Sequence, residues 1–243
     1  VGTSYEAPFG KLNFKEQVAV DHINKWCENS TKGLVKEIID LSTLRTLTWV
    51  VLNASYFQGE WGIEFSPVPE TANANFTRAD GSKIHVDMIH AKAAVLHAVN
   101  SHGDEIIEIP FNSTRKQPHH FAMRFVLPAT GSDLTGLKDE RLWTDSYWNQ
   151  AAALLENAQL ERGEVLIPKF SFDFGITMQK DDVLTKAMGF KNIFLDYAAD
   201  FTKMGNYNSF VGLVKQNTRI ELDEKGVKAA AITLIGGITR GVP

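Results

Sequence analysis

The sequence predicts an α+β protein with more than one sheet. About eight segments have the apolar alternation or the β-branched and aromatic composition of strands, and four or five have helical spacing. The two kinds of segment do not alternate in the strand–helix–strand order that builds a single parallel sheet. No internal repeat or low-complexity linker interrupts residues 1–243, so we expect one domain.

Three long segments give the clearest local signals. An amphipathic helix is predicted from Lys15 to Asn29, because apolar side chains recur there at helical spacing. A second, short helix is predicted from Leu34 to Ile39. A continuous β-branched and aromatic run from Thr46 to Phe57 predicts a strand that is buried on both faces. Its one amide side chain, Asn53, would then need hydrogen-bond partners, which makes it a candidate polar contact between strands.

The remaining elements are shorter or flank turn signals. A helix is predicted from Met178 to Met188, with Gly189 as its end, and a long strand from Phe210 to Glu224. Helical material is also predicted from Asp139 to Glu156. Shorter strands are predicted at residues 83–89, 105–110, 120–127, 164–168 and 170–174.

The composition excludes several classes of function. The net charge is −4, and no basic run stands out, so nucleic-acid binding has little support. No apolar run is long enough to span a membrane. Cys27 is the only cysteine, so the chain has no internal disulfide, although this does not fix the cellular compartment.

No motif predicts an enzyme, a metal site or a cofactor site. The seven histidines are scattered, and HExxH, CxxC, GxSxG, GxGxxG and the P-loop are all absent. Glycosylation sequons occur at four asparagines. The one at Asn53 could hardly carry a glycan inside a buried strand, whereas those at Asn29, Asn75 and Asn112 stay open.

The last stretch, from Glu221 to Pro243, fits no ordinary tail. It begins as a strand, and after Gly226 its residues are mostly small, apolar or glycine, with no proline before Val242. An Arg240-Gly241 pair follows near its end. The stretch is too apolar for a solvated tail, yet it has no turn that would pair it into a hairpin.

Five segments in order resemble motifs of the serpin family, the serine protease inhibitors. Together they extend over most of the chain, which therefore resembles a serpin lacking the first helices and the last strands of the fold. The motifs are His22–Trp26 with Asn29–Gly33, Leu52–Trp61, Val165–Phe170, Ala199–Phe201 and Asp223–Ala231.

The resemblance implies a fold and a mechanism. A large sheet lies under the helix at Lys15 to Asn29, and a reactive loop at about residues 225–243 projects as bait. The target protease attacks the loop and forms an acyl-enzyme, and the cleaved loop then inserts into the sheet as a strand. The expected protein is a secreted, monomeric suicide substrate of a serine protease, with no cofactor. An intracellular location is left open.

The resemblance also assigns residues. The hinge of the loop comprises Glu224, Gly226, Val227, Ala229, Ala230 and Ala231. The scissile bond usually follows the fifteenth residue counted from the hinge glycine, which here is Arg240, so the reactive bond is Arg240-Gly241 and the target is trypsin-like. If the register slips to Ile238 or Thr239, an elastase-like, subtilisin-like or cysteine protease becomes the target.

In the inserted strand, the residues of Val227's parity are expected to face inward because they are uncharged and mostly small. The sheet-opening region comprises Asn53, Trp61 and Gln216. Many family members have a histidine at the position of Gln216, facing the asparagine, and Gln216 could still bond Asn53. Val227 replaces the usual Thr or Ser and Ile232 the usual Ala. These departures keep a non-inhibitory carrier, chaperone or storage role open.

Overall fold

The computed structural model describes residues 9–68, 75–78, 80–112, 121–129, 144–178, 189–204 and 208–239. Contacts between these residues divide the chain into two compact units. The first unit is drawn from Val1–Phe57, Phe172–Ile220 and Ala229–Pro243, and the second from Gln58–Ser171 and Glu221–Lys228. The units are described in turn.

Helices and several antiparallel sheets together confirm the predicted α+β class. The α-helices of the described residues are α1 Gln17–Ser30, α2 Leu41–Leu44 and α3 Asp145–Glu156. The strands are β1 Trp49–Glu60, β2 Ser66–Pro67, β3 Asn75–Thr77, β4 Lys83–His85, β5 Met88–Val99, β6 Glu105–Pro110, β7 Ala122–Leu127, β8 Leu160–Pro168, β9 Phe170–Met178, β10 Ser209–Leu222 and β11 Gly226–Thr239.

Helix α1 packs its apolar face into the core of the first unit. The predicted helix is confirmed, with Ala19, Val20, Ile23 and Cys27 buried on one side. These residues share a core with Leu44 and with aliphatic residues of β11. Burial raises the pKa of the Cys27 thiol to about 11, so the thiol is protonated at neutral pH.

The segment after α1 is a loop, so the predicted helix from Leu34 to Ile39 is wrong. Asn24 on α1 holds this loop: its Oδ1 accepts from the Ile38 N–H at 3.0 Å, and its Nδ2 donates to the Ile39 carbonyl at 2.9 Å. These bonds hold the backbone away from helical pairing, because the side-chain amide takes groups that a helix would use.

The main sheet has the strand order β1-β11-β10-β9. Strand β1 is not buried on both faces along its length, so the prediction of burial on both faces is wrong. Leu52, Ala54 and Tyr56 pack against the core under α1, whereas Val51 and Asn53 are exposed. On the face of Val51 and Asn53, Trp49 at the start of β1 packs in a second cluster. Because Asn53 is exposed, burial no longer argues against a glycan on its side chain.

The second unit holds a separate antiparallel sheet. Its order is β2-β5-β6-β7, with β8 paired to β5 along Met88–Leu96. Helix α3 covers this sheet, since Ala151 and Leu155 pack on the buried Ile106. The strand predicted at residues 105–110 is confirmed as β6.

Several predicted features fall outside the described residues. Met178 ends strand β9, and the rest of the helix predicted up to Met188 lies outside them. The same holds for residues 139–143 of the predicted helical segment, although Asp145–Glu156 is helical. The predicted reactive bond, Arg240-Gly241, also lies outside the described part of the chain.

Candidate functional site

Residues 226–239 form a central strand of the main sheet, between β1 and β10. At the far end of this strand, the Thr48 N–H donates to the Gly237 carbonyl at 2.7 Å, and Thr239 Oγ1 donates to Thr48 Oγ1 at 2.9 Å. In this structure residues 226–239 therefore form a strand of the sheet and do not project as a loop. The arrangement is the one that the resemblance implies after insertion.

The side chains of β11 alternate, but with the opposite parity to the one predicted. Ala230, Ile232 and Leu234 are 3%, 0% and 0% exposed and lie in the core under α1. Of the predicted inward residues, Val227 and Gly237 are buried, whereas the others, such as Ala231 and Thr233, are only partly buried. The prediction chose the smaller side chains for the buried face. The space beneath α1 is instead large enough for two branched aliphatic side chains, those of Ile232 and Leu234.

The opposite face of β11 packs against a second, smaller cluster. Ile235 lies there with Trp49, next to the buried Val211 and Val214 of β10. Lys228 is exposed although it has the parity of the buried set. It precedes Ala230, the first residue of β11 in the core under α1, so the regular alternation begins only after Lys228 and the charge stays in water.

A tight turn joins β10 to β11 and contains the predicted hinge residues Glu224 and Gly226. Asp223 closes the turn, because its Oδ1 accepts from the backbone N–H groups of Lys225 at 2.8 Å and of Gly226 at 3.2 Å. Gly226 is buried, and a Cβ at this position would overlap the Gly59 carbonyl. Only glycine fits where the backbone passes this close.

Trp61 holds the hinge turn through two hydrogen bonds. Its indole Nε1 donates to the Asp223 carbonyl at 2.8 Å, and its backbone N–H donates to the Lys225 carbonyl at 3.1 Å. The ring is 4% exposed and stacks on Phe111, with centroids 5.0 Å apart and planes 14° apart. Trp61, which the resemblance assigns to the sheet-opening region, therefore positions the turn in this structure.

Lys169 makes a third contact with the hinge. Its Nζ forms an ion pair with Glu224 Oε1, and both side chains are about three-quarters buried. The hydrogen bond from the Lys169 ammonium lowers the pKa of the Glu224 carboxyl. The sequence analysis did not name Lys169 as a site residue; its only signal was its place in the Val165–Phe170 motif.

Asn53 and Gln216 do not meet in this structure. They lie on β1 and β10, and β11 runs between those strands. Neighbouring strands are about 4.8 Å apart, so the intervening strand roughly doubles the separation between the two backbones, and no hydrogen bond joins the two side chains, both of which the structure describes. The suggested Asn53–Gln216 contact is therefore wrong for this arrangement.

The described residues contain no group of three histidine, cysteine or carboxylate side chains that could hold a metal. Within the same part of the chain, no helix is both long and apolar enough to cross a membrane. The candidate site is β11 with its hinge turn.

The model of the serpin family, described as serine protease inhibitors, matches residues 1–241, so the chain belongs to the serpin family. Neuroserpin from Homo sapiens is 28% identical over 97% of this chain and 56% of its own length. Iripin-8 from Ixodes ricinus is 27% identical over 95% of this chain and 55% of its own length. The chain spans just over half the length of these relatives.

Solved structures show the same fold. A cleaved form of the viral serpin CrmA superposes with a TM-score of 0.78 at 22% identity, covering 96% of this chain and 74% of that one. Human thyroxine-binding globulin with a cleaved reactive loop gives 0.77 at 19% identity, covering 98% of this chain and 66% of that one. The fold is therefore the α+β serpin fold, which both an inhibitor family and a thyroxine-binding protein use.

Proposed function

We propose that this single-domain serpin inhibits a trypsin-like serine protease as a suicide substrate. The observation that carries the proposal is the burial pattern of β11. Residues assigned to the reactive loop fit the middle of the main sheet as a strand, with Ile232 and Leu234 fully buried. A segment that served only as exposed bait would have no need of this fit.

The proposed chemistry takes place at the bond after Arg240. The protease's serine attacks the Arg240 carbonyl, an ester to the protease forms, and Gly241 leaves as a free amine. The Arg240 guanidinium suits an acidic specificity pocket, because it binds a carboxylate through two parallel hydrogen bonds. Residues 226–239 are then free to enter the sheet with the protease still attached.

Insertion of the cleaved loop should be strongly favourable in free energy. Burying an aliphatic side chain such as Ile232 or Leu234 contributes about 1.5–3 kcal/mol. Roughly ten new backbone hydrogen bonds add about 0.5–1.5 kcal/mol each, which together reach the order of 10 kcal/mol. That free energy would drive the displacement of the protease before the ester is hydrolysed.

The test is an incubation of the full-length protein with trypsin. We expect a covalent complex that survives SDS, and mass spectrometry should place the cut after Arg240. Arg240→Ala should abolish the complex, while Arg162→Ala, which removes an exposed arginine of β8, should leave it unchanged. Cleavage of the wild-type protein without any complex would contradict the proposal.

A carrier role is the second candidate, because Val227 occupies a hinge position and a thyroxine-binding globulin shares the fold. It predicts cleavage without a complex. We further propose a secreted monomer. Fractionation of expressing cells and light scattering test those two properties, and a purely intracellular protein or a stable dimer would contradict them.

A further inference from the structure

Strand β11 has two adjacent glycines near its end, Gly236 and Gly237, and both are buried. Neither has a positive φ, so no turn or left-handed conformation requires them. Glycine in a strand interior weakens the strand, because it loses more conformational freedom on folding and has no side chain to pack. Two in a row therefore require another explanation.

Gly237 lies against the indole ring of Trp49. A Cβ at position 237 would overlap the Nε1, Cε2 and Cζ2 atoms of that ring. The ring is fixed in place, since its Nε1 donates to Ser209 Oγ at 3.0 Å and Phe201 packs against it with centroids 5.3 Å apart. The indole cannot move aside without losing both contacts.

Gly236 lies against Leu47 in the same way. A Cβ at position 236 would overlap the Cδ1 atom of Leu47, a side chain that is 5% exposed and belongs to the core under α1. A leucine methyl group is easier to displace than a fixed indole ring, so the restriction at 236 is weaker than that at 237.

The neighbouring strand β10 makes a third close approach at this end. Gly212 lies beneath the side chain of Ile238, and a Cβ on Gly212 would overlap Ile238. Glycines thus make room on both strands where β11 ends, and bulky side chains fill that room. The packing is different at Ala230, where β11 enters the core under α1, because the Cβ of an alanine is accommodated there.

We propose that Gly236 and Gly237 are positioning residues that decide whether the reactive strand inserts to its end, with Trp49 as the fixed contact that makes Gly237 necessary. This inference rests on the proposed function. A Cβ at 237 leaves the hinge and the residues up to Ile235 free to enter the sheet and obstructs only the last few. A strand that stalls there leaves the protease's active site intact.

Stalling changes the outcome of the reaction. Water then attacks the Arg240 ester, the protease's serine regains its proton, and the products are active protease and cleaved protein ending in an Arg240 carboxylate. The protein becomes a substrate instead of an inhibitor, although its bait residue and hinge are unaltered.

The experiment compares four forms of the full-length protein: wild type, Gly237→Ala, Gly236→Ala and Gly163→Ala. Gly163 is the matched control, because it also lies in a strand and a Cβ there would meet nothing within 4 Å. The readouts are the moles of protein needed to inhibit one mole of trypsin and the fraction of cleaved chains found in the SDS-stable complex.

We expect Gly237→Ala to raise the moles of protein needed to inhibit one mole of trypsin about tenfold, which corresponds to the usual cost of overpacking. Gly236→Ala should raise this ratio less, and Gly163→Ala should not change it. Adding Trp49→Leu to Gly237→Ala should recover most of the complex, because it removes the obstructing ring. A Gly237→Ala protein that matches Gly163→Ala would overturn the inference and leave the proposed function standing.

The midpoint temperature of thermal unfolding of the cleaved protein distinguishes a failure of the proposed function from a failure of the inference about the glycines. If wild type gives no complex, the proposed function fails. The glycine inference is then decided by this midpoint alone: it holds if cleavage raises the midpoint of wild type and Gly163→Ala but not that of Gly237→Ala. It fails if all three rise equally or if none rises.

Discussion

The two ends of the reactive strand are held by different kinds of interaction. At the hinge end, the turn at Asp223–Gly226 is fixed by polar contacts: two hydrogen bonds from Trp61 and an ion pair from Lys169. At the far end, Thr48 also makes two hydrogen bonds with β11, but most of the contact is apolar burial and close packing around the two glycines. The hinge end thus depends mainly on directional bonds, and the far end mainly on shape.

The two ends therefore contribute differently. The hinge end fixes the position of the strand, and the far end supplies most of the stabilising free energy. A hydrogen bond contributes about 0.5–1.5 kcal/mol net, and a partly exposed ion pair about 0.2–1 kcal/mol. A fully buried aliphatic side chain contributes about 1.5–3 kcal/mol. On the proposed mechanism, the hinge would determine where insertion starts, whereas most of the stabilisation would come from residues that enter the sheet later. Changes at the two ends should differ in size accordingly.

The largest stability effect is expected at the far end. Leu234→Ala should lower the free energy of unfolding of the inserted form by about 2–5 kcal/mol, because it leaves a cavity under α1. Urea unfolding of the cleaved protein measures this. Thr233→Ala, one residue away on the less buried face, should cost much less. Equal losses at the two positions would contradict the observed facing of β11.

A smaller effect is expected at the hinge. Trp61→Phe keeps a ring against Phe111 but removes the donor to the Asp223 carbonyl, so we expect a loss of about 1 kcal/mol together with some packing energy. Trp148→Phe on α3, where the side chain is 37% exposed, is the control in the same urea experiment. The role of Trp61 in the turn is refuted if the two variants are equally stable.

The ion pair at the hinge should give a pH-dependent effect of at most about 1 kcal/mol. The pKa of Glu224 is lower in the folded protein than its ordinary value near 4.3. A lowered pKa contributes stability above the ordinary value, and this contribution is lost as the pH falls through the folded value.

Glu224→Gln should therefore be less stable than wild type at pH 7, with the difference shrinking as the pH falls from the ordinary pKa of a glutamate through the lowered pKa of Glu224. Thermal unfolding across this range measures it, and Glu64→Gln, at an exposed glutamate, is the control. A difference that persists unchanged at low pH would mean that the charge of Glu224 is not involved.

The smallest effect is expected at Asn53. The side chain is exposed on β1 and is separated from Gln216 by β11, so Asn53→Ala should change the stability of the inserted form by no more than about 0.5 kcal/mol. A loss above 2 kcal/mol in the urea experiment would show that the amide makes a buried contact that this arrangement does not contain.

Local sequence patterns were sufficient to predict the helices, strands and turns that depend on a single segment of the chain. The amphipathic spacing around Ile23 and Cys27 predicted α1, and the β-branched run before Asn53 predicted β1. The hinge turn was recognised from its motif. These features depend on residues that are close in sequence, where spacing and turn chemistry carry the information.

The contacts that hold the site could not be predicted in this way. Trp61 and Asp223 are 162 positions apart, and no local pattern reports which strands become neighbours. The parity of β11 was predicted wrongly for the same reason. Both of its faces are apolar or small, so only the packing of α1 on the sheet decides that Ile232 and not Ala231 is buried.

The most direct test of the account is hydrogen exchange of the backbone amides at residues 229–239, before and after cleavage at Arg240. We predict rapid exchange in the uncleaved protein, where the segment would be an exposed loop, and strong protection after cleavage, when every second side chain would enter the core. Protection that is equally strong before cleavage, or absent after it, would contradict the claim that this segment is a reactive loop that becomes a strand.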